Sequence, residues 1–439
     1  MIKVCDALCG FGKTSACIKM MNEETDKKFI FVTQFLSEVD RIKAGCSARK
    51  FVSPCADPST NKTKLADIHS LLREGLNIAT THALFISYTD ETKDLIRKRG
   101  YTLVLDESVD VLDTAEIAEC DMDILRRSSA IRESDDGNIE WLMDSYGLTE
   151  EHGKFREEML RAKSKNFLKF EDQFFFWSIP PELFTCFSDI YVLTYMFIAQ
   201  PLKCFFDIHE FEYELIGVKH SEDGYVFCGL EEMDRTVELR DKIHILDNKK
   251  LNAIGGVRTA LSFSWYKSAY AEEGSPQLDK LRKNISNVFK NIYKAAGKDT
   301  LWTCFKQYTS RLRGNGYNMS FIPYNLRASN EYADRHYLAY CVNNFPRPME
   351  KRYYQEHGTD LDADMYALSI LVQWVFRSAI RKKEEIWLYV PSARMRYLLT
   401  AWLDNLAVGQ DLTPISYKTP RKSRAKPGAK RGRPPMGDI

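Results

Sequence analysis

The sequence predicts an α/β chain of two tandem units with largely parallel sheets, together with a polar helical insertion and a disordered basic tail. Three observations carry this reading. A glycine-rich loop sits between a short apolar run and a helix-like run near the start of the chain, strand-like and helix-like runs alternate twice over, and Lys, Arg, Pro and Gly crowd the last residues. Such alternation implies parallel strands joined by helical crossovers. A chain of 439 residues with 44% hydrophobic content can bury two cores. The first unit is expected over 1–215 with its insertion at about 110–180, the second over 216–411, and the tail over 412–439.

The loop comes first. Residues 2–8 read as a strand, residues 7–14 spell A-L-C-G-F-G-K-T, and residues 15–21 read as a helix. Glycines at Gly10 and Gly12 let the backbone wrap and aim N–H groups at a phosphate, next to the positive end of the helix. Phe11 and Ser15 complete the cradle. Lys13 is placed to reach the β- and γ-phosphates, and Thr14 to offer its hydroxyl to Mg²⁺. Ala7 stands where the strict pattern has its first glycine. Cys9, inside the loop, is either activated by the helix N-terminus or a small filler. Residues 101–105 form a second apolar run ending in Asp106 and Glu107. A carboxylate at the end of a buried parallel strand suits the Mg²⁺ hydration shell, the role of Asp106, and Glu107 would orient and deprotonate a water. Each motif alone has an ordinary alternative, a chance pattern or a strand that ends in turn acids. At this spacing they support one another.

The remaining elements follow in order. Strands are expected at residues 29–33, 78–81 and 190–196. Helical runs at 126–141 and 150–169 fill the insertion, which serves as a substrate clamp or a solvated embellishment. Residues 210–255 lean to β-structure and hold the boundary. The second unit reads as a charged helix at 275–296, strands at 300–305, 319–323 and 337–342, a helix at 362–381, a strand at 386–390 and a helix capped by Ser392. Gln373, Arg377 and Arg381 recur every four residues and so would line one helix face. That stripe is a set of phosphate contacts or a solvated polar face. Trp265, Trp302 and Trp374 fit core packing, or stacking on bases.

Composition narrows the class. No stretch of about eighteen apolar residues occurs, so no membrane span is expected, and the phosphate loop occupies the place of a signal-peptide core. Eleven cysteines without C-x-x-C pairs suit reduced thiols in a cytoplasmic protein. The net charge of +1 conceals an asymmetry: Lys418, Arg421, Lys422, Arg424, Lys426, Lys430, Arg431 and Arg433 face only Asp438 at the end of the chain. That concentrates any general nucleic-acid affinity in the tail.

The ordered set of motifs over residues 1–405 resembles a superfamily 2 helicase of the DEAD/DEAH-like kind, and the resemblance implies two RecA-like domains that close on ATP and Mg²⁺. Residues 7–14 are similar to motif I in its A-x-x-G-x-G-K-T form, and 105–108 to motif II as D-E-S. Residues 31–42 resemble motif Ia, with Thr33 and Gln34 as nucleic-acid contacts, and 77–85 resemble motif Ib, with Thr80, Thr81 and His82. Residues 301–306 stand at motif IV, and Arg327 to Asn330 at motif V. Q-W-V-F-R-S-A-I-R resembles motif VI, whose Gln373, Arg377 and Arg381 would act on the γ-phosphate, the arginines as fingers. Residues 193–197, L-T-Y-M-F, keep only Thr194 of the usual motif III, and no adenine-reading Q motif precedes the loop. The implied partners are a DNA single strand in the cleft, or RNA, and duplex DNA at the tail. There K-R-G-R-P-P resembles an AT-hook that sets Arg431 and Arg433 in the minor groove; the alternative is a plain polybasic tail. The implied function is ATP-dependent translocation or unwinding, with an ATPase switch that does not unwind, or a binding protein with a decayed ATPase, as alternatives. The compact layout suggests a bacteriophage or other mobile element. Oligomeric state stays open.

Overall fold

The computed structural model describes residues 1–57, 59, 62–135, 137–142, 153–171, 174–326 and 331–418. Arg327, Asn330, Arg431 and Arg433, and the tail beyond Lys418, lie outside them. The fold is α/β with two parallel sheets. The larger has eight strands in the order Gly224–Gly229, Tyr213–Ser221, Ile2–Asp6, Asp189–Thr194, Tyr101–Asp106, Lys28–Thr33, Asn77–Thr81 and Phe51–Val52. All its pairings are parallel except that of the outermost hairpin, 213–229. The strand Tyr213–Ser221 therefore runs through the 215/216 division expected from sequence. The smaller sheet orders Ile243–Ile245, Ile386–Tyr389, Tyr337–Tyr340 and Thr300–Thr303, all parallel.

Central strands such as Tyr101–Asp106 are near-continuous apolar runs because helices cover both faces of a parallel sheet. The register sets Asp6 opposite Thr194 and Asp106 opposite Leu193, so the carboxyl ends of three adjacent strands meet along one rim. Ligands of open α/β sheets bind at such a rim. The core of the second unit also takes in Leu8, Cys9, Tyr195 and Met196 from the first, which joins the two units by a shared apolar contact. Trp302 and Trp374 are buried there.

Three local expectations need correction. The insertion is mixed rather than helical: helices Glu119–Arg127 and Arg156–Lys163 accompany the hairpin Ile131–Glu133/Ile139–Trp141 and an antiparallel sheet of Leu112–Thr114, Phe174–Ser178 and Phe167–Phe170. Residues 126–141 leave the helix because Gly137, at φ 84°, makes a turn that brings Ile131 and Ile139 onto one buried face. No strand forms at 319–323, where Phe321 makes a single bridge to Trp302 and Pro323 has no N–H to extend it. The helix expected to 381 stops at Val375. The Ser378 hydroxyl donates to the Val375 carbonyl at 2.6 Å, and the Ala379 N–H turns away to the Arg335 carbonyl. Arg377 and Arg381 therefore do not share a helix face with Gln373.

The insertion does more than decorate the first sheet. Phe170 and Phe176 pack on Tyr353 of the second unit's helix Pro348–Glu356, with ring centroids 5.3 and 5.6 Å apart. Arg347 pairs with Asp113, and Arg352 pairs with Glu171 at 2.6 Å. Apolar and ionic contacts thus bridge the cleft from one unit to the other.

Candidate functional site

The phosphate loop is built by backbone conformation. Strand Ile2–Asp6 ends with the Ala7 N–H donating to the Thr194 carbonyl, and the chain then turns at Gly10 and Gly12, both at φ 85°. Gly12 caps the helix Lys13–Glu23 in the left-handed conformation. A Cβ on Gly10 would lie 3.1 Å from Arg381, and one on Gly12 would enter the Tyr225 ring. Only glycine meets both demands at residue 12.

Lys13 is 8% exposed, and its ammonium donates to the carbonyls of Ala7 at 2.5 Å and Leu8 at 3.2 Å. Thr14 Oγ1 donates to Asp106 Oδ1 at 3.2 Å. Burial, with Glu107 and Glu38 adding to it, pushes the Asp106 carboxyl up to about 7, against the pull of Lys13 and Thr14. Asp6 is pushed up to about 6 by burial although the N–H groups of Met196 and Phe197 donate to it at 2.7 and 2.9 Å. Glu107 has φ 71° and Met196 φ 55°, two non-glycine residues in a costly region beside the loop. Burial raises the Cys9 thiol, so the helix N-terminus does not activate it, and all eleven cysteines are free.

A cavity of about 160 Å³ opens over the loop. Its floor is Gly10, Gly12, Lys13, Thr14 and Ser15, one wall is Asp106 with Glu107, and the facing wall is Arg377 with Arg381 from the second unit. Two sheets thus supply one site. Arg377 is 3% exposed, and its Nε and Nη2 have no hydrogen-bond partner among the described residues. A buried, unsatisfied guanidinium costs several kcal/mol in the absence of an anion. The residues therefore fit a phosphate group, and Thr14 beside Asp106 fits a hydrated Mg²⁺.

The other expected site residues fall into separate places. Gln373 lines a neighbouring cavity of about 270 Å³ that it shares with Glu107, not the loop cavity. Thr33 and Thr81 are register partners at adjacent strand ends, with Gln34 and His82 just beyond them. Thr33 and Thr80 are buried, at 1% and 4% exposure. Thr81, Gln34 and His82 are half-buried at that edge. Phe11 faces the second unit, with the Lys383 ammonium 5.5 Å from its ring.

Sequence reasoning missed Glu38, Arg41 and Tyr225 on the same cavity. Glu38 and Arg41 pair at 3.0 Å on helix Leu36–Gly45, and their i, i+3 spacing was the available signal. Tyr225 had none, since a hairpin pairing at the sheet edge delivers it. Also unforeseen is the buried bridge in which Tyr195 donates to Asp411 at 2.8 Å and accepts from Trp402 at 3.0 Å. It ties the rim of the first sheet to the end of the second unit.

Residues 237–403 match the model of the YonV C-terminal Rossmann-like domain. The chain is similar to the SPbeta prophage-derived uncharacterized protein YonV of Bacillus subtilis (strain 168), with 39% identity over 412 residues, which cover 92% of this chain and 99% of that protein. It is also similar to a solved structure, that of S. tokodaii Xpd4, at a TM-score of 0.45 and 12% identity, over 91% of this chain and 93% of the other. With 39% identity along nearly the whole of both proteins, this chain belongs to the YonV family.

Proposed function

We propose that this chain is an ATP-dependent nucleic-acid motor that couples hydrolysis to movement on, or unwinding of, DNA or RNA. One observation carries the reading: Lys13, Thr14, Asp106 and Glu107 of the first unit face Arg377 and Arg381 of the second across one cavity. A site assembled from two bodies can report a change in one as movement of the other.

Lys13 exchanges the Ala7 and Leu8 carbonyls for β- and γ-phosphate oxygens, and the loop N–H groups hold the β-phosphate. Thr14 and Asp106 would hold the hydration shell of Mg²⁺, which when bound would supply charge neutralisation. Glu107 orients a water and takes its proton as the water oxygen bonds to the γ-phosphorus and the bridging P–O bond breaks. Arg377 and Arg381 stabilise the charge on the transferring group. The basic tail holds nucleic acid by its phosphates. The prophage origin of the similar protein supports a place in a phage or other mobile element. Among the described residues no helix is long and apolar enough to cross a membrane, which accords with a cytoplasmic site of action.

A second reading, an ATPase switch that hydrolyses without unwinding, is favoured by the insertion. Its contacts with Tyr353, Arg347 and Arg352 span the cleft and would restrain large domain excursions.

The test is Arg377→Ala. An arginine finger contributes about 10³-fold or more to hydrolysis, so the variant is expected to lose hydrolysis while ATP affinity stays within about threefold. Unchanged hydrolysis would remove Arg377 from the mechanism.

A further inference from the structure

A second cavity, of about 590 Å³, opens on the other side of the phosphate loop and shares Gly10, Tyr225 and Arg381 with the first. Its size exceeds what phosphates need. Its walls also differ in chemistry. The loop cavity carries Lys13, Arg41, Arg377 and Arg381, the cations an anion requires. The larger one adds what the loop cavity lacks, an apolar wall of Phe11, Val218 and Met233 beside the ring of Tyr225; its charges are mixed, with Arg235, Arg381, Lys382 and Lys383 set against Asp234, Glu238 and Asp411, and Lys383 paired with Glu238 at 3.1 Å. Apolar and aromatic walls with a few polar groups are what the neutral part of a ligand requires.

Tyr225 stands at the junction. It belongs to the strand Gly224–Gly229 of the edge hairpin, whose partner strand pairs with the loop's own strand Ile2–Asp6. Its ring lies so close over Gly12 that a Cβ there would enter it, and it is half-buried and lines both cavities. His220 meets the same ring edge-on at 5.1 Å and fixes its tilt. The hairpin is itself anchored, because Asp234 accepts from the His220 N–H at 2.6 Å.

We propose that this larger cavity is the nucleoside half of the nucleotide site, with the base stacked on Tyr225 and its amino group or the ribose hydroxyls donating to Asp234 and Glu238. This rests on the reading of the loop cavity as a phosphate site. It assigns the recognition of the base to an edge hairpin and an interdomain cavity. Stacking of a base on an aromatic ring is sequence-tolerant because every base has a π-face, so purine and pyrimidine triphosphates alike are accepted.

The experiment is calorimetric binding of ATP and of inorganic tripolyphosphate, each with Mg²⁺, to the full chain carrying Tyr225, Tyr225→Phe or Tyr225→Ala. Wild type is expected to bind ATP more tightly than tripolyphosphate. Tyr225→Ala is expected to weaken ATP about tenfold and leave tripolyphosphate within twofold, and Tyr225→Phe to bind ATP like wild type. The phenylalanine variant guards against mistaking a lost ring for a lost fold. Equal weakening of both ligands in Tyr225→Ala, or no weakening of either, overturns the inference. If wild type binds tripolyphosphate but ATP no more tightly, the nucleoside cavity falls while the phosphate site stands. If it binds neither, the phosphate site falls and takes the inference with it.

Discussion

Asp106 and Lys13 illustrate how burial sets the chemistry at the level of single residues. Lys13 is buried and Asp106 half-buried at the loop, and the carboxyl is pushed up to about 7 because desolvation, with Glu107 and Glu38, outweighs the nearby ammonium. A raised carboxyl makes the folded chain bind a proton that the unfolded chain has already released, so stability falls as pH rises from about 4 to about 7 and is level above. Replacing Asp106 with Asn is therefore expected to stabilise the ligand-free protein at pH 8, by up to about 4 kcal/mol, and to leave it little changed at pH 4. Denaturant unfolding at the two pH values measures this, and equal effects at both would contradict it. By the same sign, the proposed Mg²⁺-dependent nucleotide binding is expected to weaken as pH drops below about 7, since a cation held by Asp106 would have to displace the proton. Gly12→Ala adds strain at φ 85° and drives a methyl group into Tyr225. It is expected to abolish nucleotide binding at a stability loss of about 1–3 kcal/mol; retained binding would show that the ring yields.

At the level of elements, what the sequence made legible was local. The strand, loop and helix of residues 2–23 follow from contiguous residue types, and so does the acidic strand end at 106–107. The arginines of the second unit were readable as cations of the right kind, yet their shared helix face was not, because the Ser378 hydroxyl and the Arg335 carbonyl decide where the helix stops. The carbonyl is a tertiary contact that no periodicity reveals. The motif-like threonines Thr33 and Thr80 match by type, but both are buried because the sheet is covered on both faces. Tyr225 was illegible for the same non-local reason. In the insertion, helix propensity over 126–141 lost to a glycine turn and a buried aromatic cluster. Phe176 is fully buried at the contact with Tyr353, and Phe176→Ala is expected to cost about 3–5 kcal/mol by opening a cavity there. Chemical denaturation measures it, and a loss below about 1 kcal/mol would mean that the bridge between units is not a packed contact.

Across the whole molecule, three links join the two sheets: the shared apolar core around Met196, the Tyr195–Asp411–Trp402 bridge, and the insertion docked on helix Pro348–Glu356. Charge is divided differently, since the body is acidic overall and the basic excess lies in the last residues. Removing residues 419–439 is expected to weaken duplex binding and flatten its dependence on salt without lowering intrinsic ATP hydrolysis. Titrations at several salt concentrations measure this, and an unchanged slope would move duplex affinity to the folded body. The central claim, a two-body ATPase driven on nucleic acid, is tested most directly by steady-state ATP hydrolysis of wild type and Lys13→Ala, with and without single-stranded DNA, duplex DNA and RNA. Hydrolysis is expected that one of these polymers stimulates and that the Lys13 variant lacks. No hydrolysis by wild type under any of these conditions would contradict it.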